Sequence, residues 1–262
     1  MKVLLWNCQG LAHGPTICAL RASIKTLRPN LIFLLETKVS SSHFQQSLVG
    51  LDFFDWLEVP LVGLQGGLFL AWKFGVDIEP VRLDKHCISC LVYSDPPHHP
   101  WLFCGLYAPH TSKRCSDFWS NLSELGNSFG GSWCLLGDFN YILSSSKKNG
   151  GYAFSNSGHQ DFIDFVHFNV LVDLGFVGNR FTWSNRRDGR FNIRERLDRG
   201  LENQNWAHLF RNSLINHIPA TQFDNCPLLI STIGTYQNIP KPFSFEAFWT
   251  RDKSSHGVVA QA

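Results

Sequence analysis

Short apolar runs that follow one another without intervening helices constrain the fold of this chain most. Residues 76–83, 87–93 and 101–107 are rich in strand-forming residues and are separated by turn residues, which predicts three consecutive strands. Strict alternation of strands and helices is therefore excluded, and a layered α/β sandwich with mixed sheets is favoured. Further strands are expected at residues 3–6, 31–35, 53–59, 68–72, 133–136, 181–184, 196–201, 215–219 and 227–230. Helices are expected at residues 16–28, 115–125 and 158–170.

Composition is typical of a globular protein with a large core. The chain has 262 residues, of which 44% are hydrophobic and 17% charged, and its net charge of +2 is too small to indicate a polyanionic partner by itself. No apolar stretch approaches the ~18 residues of a membrane span. The first apolar run stops short of the ~7 residues that a secretory signal needs. We therefore expect a nuclear or cytoplasmic protein with no membrane partner, and nothing in the sequence indicates an obligate protein partner.

One pair of the eight cysteines has a spacing that metal sites use. Cys87-Ile88-Ser89-Cys90 follows His86, and this arrangement is consistent with half of a zinc site. The chain has no second pair of suitable spacing. Residues three apart in a strand point to opposite faces, so buried thiols in a strand are the favoured interpretation.

The motif Gly137-Asp138-Phe139-Asn140 is the strongest functional signal. It follows the apolar run Trp133-Cys134-Leu135-Leu136, so a carboxylate and an amide lie at the rim of a sheet. On an extended backbone Asp138 and Asn140 face the same way. A carboxylate binds a hard cation or accepts a proton, and an amide holds a water or a phosphate oxygen. The motif therefore predicts metal-assisted chemistry on a phosphate ester.

Other polar residues also follow or flank apolar runs. They are Asn7, Glu36, Tyr107, Asp198 and Asp224. Each is common at a strand end when taken alone. Carboxylates that share one rim need a cation or protons to neutralise them, so the cluster implies a divalent metal. Because the ligands are all oxygens, Mg²⁺ or Mn²⁺ is favoured over zinc.

The ordered combination of these motifs resembles the endonuclease/exonuclease/phosphatase family. It is most similar to the endonuclease domain of plant retrotransposons that lack long terminal repeats. The motifs are Trp6-Asn7-Cys8-Gln9-Gly10-Leu11, Leu35-Glu36-Thr37-Lys38, Gly66-Gly67-Leu68, Leu106-Tyr107-Ala108-Pro109, Gly137-Asp138-Phe139-Asn140, Phe181-Thr182-Trp183-Ser184-Asn185, Glu195-Arg196-Leu197-Asp198-Arg199 and Asp224-Asn225-Cys226-Pro227-Leu228. The resemblance covers residues 1 to about 230.

The resemblance implies a DNase I-like fold of two mixed, mostly antiparallel sheets packed face to face with outer helices, a four-layer α/β sandwich. It also implies roles for the rim residues. Glu36 is expected to be the main metal ligand and Asp224 to help hold the metal. Catalytic roles follow for five residues: Asn7 and Tyr107 contact the phosphate, Asp138 takes a proton from water, Asn140 orients that water, and Asp198 orients a histidine.

The chain departs from the family where that histidine is expected. The family has Ser-Asp-His, whereas this chain has Phe223-Asp224-Asn225. Asn225 donates only a neutral hydrogen bond, worth ~0.5–1.5 kcal/mol against ~1.5–3 kcal/mol for a charged donor. Losing one transition-state donor typically costs ~100–1000-fold in rate. We therefore expect impaired catalysis at the degenerate histidine position, Asn225.

A basic, aromatic segment accompanies the rim motifs. Residues 180–199 contain seven arginines interleaved with Phe181, Trp183 and Phe191. A solvated basic hairpin and a DNA-contacting surface explain the pattern about equally well. The family resemblance favours DNA. The expected contacts are Arg180, Trp183, Arg186, Arg187 and Arg190.

These observations predict a domain at residues 1–233 and a linker-like tail at 234–262, which resembles a stretch leading to a reverse transcriptase. The favoured function is a metal-dependent DNA endonuclease of retrotransposon origin. A catalytically inactive relic that at most binds nucleic acid is the alternative. A phosphatase or phosphodiesterase acting on a small phosphorylated ligand is a weaker alternative, since the fold supports that chemistry too.

Overall fold

A computed structural model describes residues 1–61, 66–110, 115–155, 158–219 and 223–234. The predicted tail from residue 235 onward lies outside the described residues, so the proposed domain boundary stays a prediction. Among the described residues no helix is long and apolar enough to cross a membrane.

Two large sheets form the centre of the protein. Strands are numbered along the chain. In the described residues the first sheet has the spatial order β11 (Val177–Gly178), β15 (Leu214–His217), β16 (Leu228–Ser231), β1 (Lys2–Asn7), β2 (Leu31–Leu35), β4 (Leu68–Lys73) and β3 (Phe53–Val59). The second has the order β10 (Val172–Asp173), β14 (Asp198–Glu202), β8 (Ser132–Asp138), β7 (Pro97–Tyr107), β6 (Cys87–Ser94) and β5 (Ile78–Asp84). A small third sheet contains β12 (Trp183–Ser184), β13 (Arg194–Glu195) and β9 (Lys148–Asn149).

Helices cover the outer faces of both large sheets. Helices α1 (Gly14–Leu27) and α2 (Ser41–Leu48) pack on the first sheet, and α3 (Cys115–Phe129) and α4 (Gln160–Phe168) pack on the second. Helix α5 (Gln204–Leu209) adds Trp206 to the core between the sheets. The expected four-layer α/β sandwich is therefore confirmed, and most strand pairs in it are antiparallel.

Strand β2 shows why the apolar runs are continuous rather than alternating. Leu31, Phe33 and Leu35 pack between the two sheets, whereas Ile32 and Leu34 pack against the outer helices. Both faces of the strand are thus buried, and a strand buried on both faces needs apolar residues at every position. Burying each such side chain contributes about 1.5–3 kcal/mol.

Strand pairing brings the carboxyl ends of four strands to one edge of the sandwich. Strands β1 and β2 are parallel with Asn7 opposite Leu35, and β7 and β8 are parallel with Tyr107 opposite Asp138. Strand β14 runs antiparallel to β8 and begins with Asp198 opposite Asp138. The edge therefore collects the polar residues that follow the predicted strands.

Several element boundaries differ from the predictions. Strand β8 continues through Asp138 rather than ending before Gly137, β12 is limited to Trp183–Ser184, and β14 begins at Asp198 rather than at residue 196. Helices α2 and α5 were not predicted. Both are short, and each is preceded by an N-cap residue whose side chain accepts a backbone hydrogen bond, Ser40 for α2 and Asn203 for α5.

The Cys87–Cys90 pair forms part of the core, as the favoured interpretation predicted. Cys87 packs beneath the outer helices, whereas Cys90 packs between the sheets. The two thiols thus point to opposite faces of β6. All eight cysteines are free thiols.

Candidate active site

Asn7 is the hub of the polar cluster at the sheet edge. It ends β1 and is 3% exposed. Its Nδ2 donates to Glu36 Oε1 and to Asp138 Oδ2, at 3.0 Å each. Its Oδ1 is buried and has no hydrogen-bond partner among the described residues. One amide thus holds two carboxylates together and presents an unused oxygen acceptor beside them.

Asp138 lies at the end of β8 and is nearly inaccessible to solvent. Its Oδ1 accepts a hydrogen bond from the Asn140 backbone N–H at 2.9 Å. Burial raises the pKa of Asp138, the bonds from Asn140 and Asn7 oppose that effect, and the charge of Glu36 adds to it. The net result is a carboxylate that holds a proton more readily than usual.

Asn140 does not extend the strand, so the extended backbone expected from Asp138 to Asn140 is wrong. Its φ is 55°, in the left-handed region that asparagine tolerates better than most residues. Its Nδ2 donates to the Ala108 carbonyl at 2.7 Å. The two residues of the motif are joined through the Asn140 backbone N–H, because the chain turns after Asp138.

Tyr107 lies opposite Asp138 at the end of β7. Burial, followed by the negative charges of Glu36 and Asp138 and a hydrogen bond to Glu36, raises the pKa of Tyr107 above its usual range. The phenol therefore stays protonated at neutral pH and acts as a hydrogen-bond donor at this edge.

Asp198 adds a third carboxylate. It is 1% exposed, and both of its carboxylate oxygens lack a well-formed hydrogen bond among the described residues. Burial, and next the charge of Asp138, raise the pKa of Asp198 well above its usual range. A buried carboxylate placed beside another one destabilises the fold, which is typical of functional sites.

Asn225 lies beside β1, next to the start of β16. It forms a bridge with Trp183, and its carbonyl accepts a hydrogen bond from Trp6 Nε1 at 3.3 Å. The residue is 2% exposed, and neither polar atom of its side chain has a hydrogen-bond partner among the described residues. An unsatisfied buried amide costs about 1–3 kcal/mol, so the side chain of Asn225, unlike its backbone, does not stabilise the fold.

Asp224 pairs with an arginine. Its Oδ1 lies 3.7 Å from Arg186 Nη1. Asn7, Asp224, Asn225 and Arg186 all line one cleft of about 200 Å³. No group of three or more His, Cys, Asp or Glu side chains among the described residues is arranged to bind a metal. Asp224 as a second metal ligand therefore stays a prediction.

The arginine-rich segment forms a hairpin from β12 and β13. Five of its arginines are exposed, and Trp183 is partly buried. The exposed arginines are Arg180, Arg186, Arg187, Arg190 and Arg194. Phe191 is 61% exposed, with the Arg190 guanidinium 5.0 Å from its ring centre. The surface thus combines positive charge with an accessible aromatic ring.

Two arginines counted in the basic segment do not reach this surface. Arg196 forms a buried two-bond ion pair with Asp173, at 2.6 and 2.7 Å. Arg199 is fully buried, and burial and then the charge of Arg196 lower its pKa to about 10. The surface charge is therefore smaller than the sequence count indicates.

Two features of the edge were missed by sequence reasoning. Lys38 Nζ lies 3.3 Å from Glu36 Oε2, and the Thr182 hydroxyl accepts from the backbone N–H of Asp198 at 3.0 Å. Both residues belong to motifs that carried the family resemblance. That membership was the only available signal, since no local pattern shows which atoms they contact.

Comparison with known proteins identifies the family. Residues 4–210 match the model of the Endonuclease/Exonuclease/phosphatase family, and the chain belongs to that family. Comparison with curated protein sequences found no match.

Several solved structures share the fold. An AP endonuclease, LMAP from Leishmania major, has a TM-score of 0.71 at 14% identity, and the match covers 87% of this chain and 86% of the LMAP chain. The 3'-5' exonuclease NExo from Neisseria meningitidis has a TM-score of 0.67 at 16% identity, and the match covers 88% of this chain and 99% of the NExo chain. The endonuclease domain of TRAS1, a telomere-specific non-LTR retrotransposon, has a TM-score of 0.67 at 11% identity, and the match covers 88% of this chain and 97% of the TRAS1 domain. At these identities the likeness establishes the fold.

Proposed function

We propose that this protein is a divalent-metal-dependent DNA endonuclease of retrotransposon origin, impaired by the residue at position 225. One observation carries the proposal: the Asn7 amide holds Glu36 and Asp138 together at the sheet edge through two 3.0 Å hydrogen bonds. Membership of the family supports a phosphoester as the substrate.

The residues at the edge fit a Mg²⁺ or Mn²⁺ ion. The buried Asn7 Oδ1 has no partner among the described residues, and the Glu36 carboxylate lies on the other side of the same amide. Mg²⁺ is commonly held by one or two carboxylates and keeps several waters, so a large cluster of protein ligands is not required. Glu36 would hold the ion, with Asp224 as a second ligand. When bound, the ion polarises the phosphate and offsets the charge that develops on it.

The remaining chemistry belongs to the side chains. Asp138 accepts a proton from water as the water oxygen bonds to phosphorus and the bond from phosphorus to the 3′ oxygen breaks. A raised pKa suits this role, because a general base works best when its pKa lies near the working pH. Asn140 orients the water. Tyr107, kept protonated, and Asn7 donate to the phosphate.

The exposed hairpin supports DNA as the substrate. Its arginines suit contacts to the phosphate backbone, and Trp183 and Phe191 offer apolar surface beside them. NExo has been solved bound to a product DNA hairpin, and TRAS1 is an endonuclease from a retrotransposon. We infer that this chain nicks one strand, freeing a 3′ end for reverse transcription.

The side chain at 225 supports impairment. Asp198 lies buried, and neither of its carboxylate oxygens has a well-formed hydrogen bond among the described residues. Asn225 presents an unsatisfied neutral amide where the family resemblance predicts a histidine that Asp198 would orient. Without a charged donor the transition state loses one strong hydrogen bond, and such a loss typically lowers the rate ~100–1000-fold.

Nicking of supercoiled plasmid tests the proposal. We expect slow nicking by the natural chain with Mg²⁺, none with EDTA and none by Glu36→Ala. The double variant Phe223→Ser/Asn225→His is expected to nick about 100-fold faster or more. Inositol phosphate hydrolysis in the same samples tests the small-ligand alternative.

Three results would count against parts of the proposal. Equal nicking by the natural chain and Glu36→Ala would contradict the assigned site. A folded double variant that binds Mg²⁺ and shows no gain would contradict the account of Asn225. An inactive natural chain that still binds DNA would instead support the relic alternative.

A further inference from the structure

A groove separates the two outer helices of the second sheet, α3 and α4. Its volume is about 560 Å³. Small side chains line its α3 side, at Ser116, Ser120 and Ser123, and Phe168, which is 72% exposed, lines its α4 side. The lining residues of α3 extend from 116 to 127, which is about 16 Å along a helix axis. The groove therefore has room for about three turns of another helix.

The groove is acidic. Helices α3 and α4 contain no lysine or arginine. Glu124, Asp161 and Asp164 line the groove and are exposed, and within the described part of the chain none of them forms an ion pair. Asp164 accepts one hydrogen bond, from the neutral side chain of Gln160 at 2.8 Å. The charge complement of this groove is therefore a positively charged segment.

The groove also contains a buried donor. Trp119 lies in its wall and is 3% exposed, and its Nε1 has no hydrogen-bond partner among the described residues. A buried donor without an acceptor is unfavourable. An occupant that brings both positive charge and a hydrogen-bond acceptor is therefore favoured.

Helix α1, on the outer face of the first sheet, has the opposite charge. Helices α1 and α2 contain no aspartate or glutamate. Arg21, Lys25 and the C-cap residue Arg28 are spaced three or four residues apart, so they share one face with Cys18 and Ala22. Arg21 donates to the Ser47 carbonyl at 3.0 Å, and none of the three cations forms an ion pair with the residues that the structure describes.

The position of this basic face sets it apart from the candidate active site. The N–H of Asn30 donates to the Lys2 carbonyl at 2.9 Å, so α1 ends beside the start of β1. Asn7 lies at the other end of β1, about 17 Å along the strand. Contacts to a phosphate at the active site therefore do not account for Lys25 and Arg28.

We propose that the basic face of α1 in one copy of this chain docks in the acidic groove between α3 and α4 of a second copy. The small side chains of Cys18 and Ala22 allow α1 to approach the serines of the groove. The two faces lie on opposite sides of the sandwich, so one chain cannot join its own faces. The contact is therefore heterologous, and successive copies add head to tail. Because exposed charges dominate it, the assembly is transient and sensitive to salt.

Sedimentation velocity of the full chain tests this contact at about 0.1 M and about 1 M salt, where charges are screened beyond ~10 Å and ~3 Å. The natural chain is expected to associate with rising concentration at the lower salt and to stay monomeric at the higher salt. The helix variant is Lys25→Glu/Arg28→Glu, and the groove variant is Asp161→Lys/Asp164→Lys. Each places like charges across the contact and is expected to weaken association about 10-fold or more.

Three controls separate the contact from effects of net charge and folding. The hairpin variant Arg187→Glu/Arg190→Glu makes the same charge change as the helix variant and is expected to associate like the natural chain. A one-to-one mixture of the helix and groove variants restores opposite charges across the contact and is expected to associate although neither does alone, which a folding defect does not permit. Cys18 is an exposed thiol on the basic face, so its alkylation is expected to slow as the natural chain associates.

The proposal is overturned if the natural chain stays monomeric at the lower salt up to about 1 mM, a concentration that populates contacts with micromolar Kd. Association that persists at the higher salt, or that both variants retain, also overturns it. If only the groove variant loses association, another segment occupies the groove and the assignment of α1 is wrong. Unchanged alkylation of Cys18 during association contradicts that assignment as well. Nicking plays no part in these measurements, so the inference and the proposed nuclease function stand or fall separately.

Discussion

Asp173 and Asp198 allow a test of the electrostatics with two substitutions of identical chemistry. Both aspartates are buried, and they lie on the adjacent strands β10 and β14. Burial alone would raise the pKa of Asp173, but the Arg196 guanidinium outweighs burial and holds that pKa below its usual range. Among the described residues Asp198 forms no ion pair that outweighs its burial, and burial and then the charge of Asp138 raise its pKa well above the usual range despite the opposing charge of Arg199. The two residues are therefore expected to affect stability in opposite directions.

Asp198→Asn is expected to stabilise the protein at pH 8. The folded state holds the Asp198 proton more tightly than the unfolded chain, so ionisation reduces stability as pH rises above the unfolded pKa of about 3.9. Removing an unsatisfied buried charge is worth at least about 1–3 kcal/mol, and each kcal/mol raises the melting temperature of a domain this size by roughly 2–4 °C. The gain should shrink as pH falls toward 5. The same variant is expected to lose nicking activity.

Asp173→Asn is the matched control and should do the reverse. It leaves Arg196 buried without a counter-charge, which costs about 3–5 kcal/mol at neutral pH. The pKa of Asp173 is lower in the folded protein than in the unfolded chain. The contribution of Asp173 to the free energy of unfolding is therefore complete above the unfolded pKa and declines as the pH falls below that value.

Urea unfolding followed by tryptophan fluorescence, at pH 3 to 8.5 with EDTA, measures both effects. A pH-independent change in Asp198→Asn, or a loss of stability at pH 8, would refute the reasoning about the carboxylate cluster. If both substitutions destabilise equally, Asp198 has a favourable partner that the geometry does not show.

Three further predictions concern the metal, the packing and the pH response. Mg²⁺ at ten times its Kd should stabilise the natural chain by about 1.4 kcal/mol in a thermal melt and leave Glu36→Ala unchanged; equal shifts would place the ion elsewhere. Gly137→Ala should unfold or severely destabilise the protein, because its Cβ would overlap the Leu106 carbonyl oxygen, whereas Gly14→Ala, with nothing within 4 Å, should be tolerated in the same urea titration. Burial lowers the pKa of His217 to about 4, so the free energy of unfolding should fall by about 2 kcal/mol from pH 7 to pH 5, and His217→Gln should remove that part of the slope.

The strands and the layer architecture were largely predictable because strand burial leaves a local pattern. Residues 31–35 and 53–59 were predicted with the bounds that the structure has. Boundaries were less accurate where the chain turns at a functional residue. Asn140 is the clearest case, since its left-handed backbone breaks the extended geometry that spacing alone predicts.

The amino-acid sequence by itself determined the family, the four-layer sandwich and the set of polar residues at strand ends. Only the tertiary structure decided which of those residues touch. Asn7 bonds Glu36 and Asp138 because three strands from two sheets end together, and Arg196 is removed from the basic surface because Asp173 lies beside it, 23 residues earlier in the chain. The physical reason is that apolar periodicity records which face of a strand is buried, whereas contacts between distant side chains depend on sheet register and on how the two sheets pack.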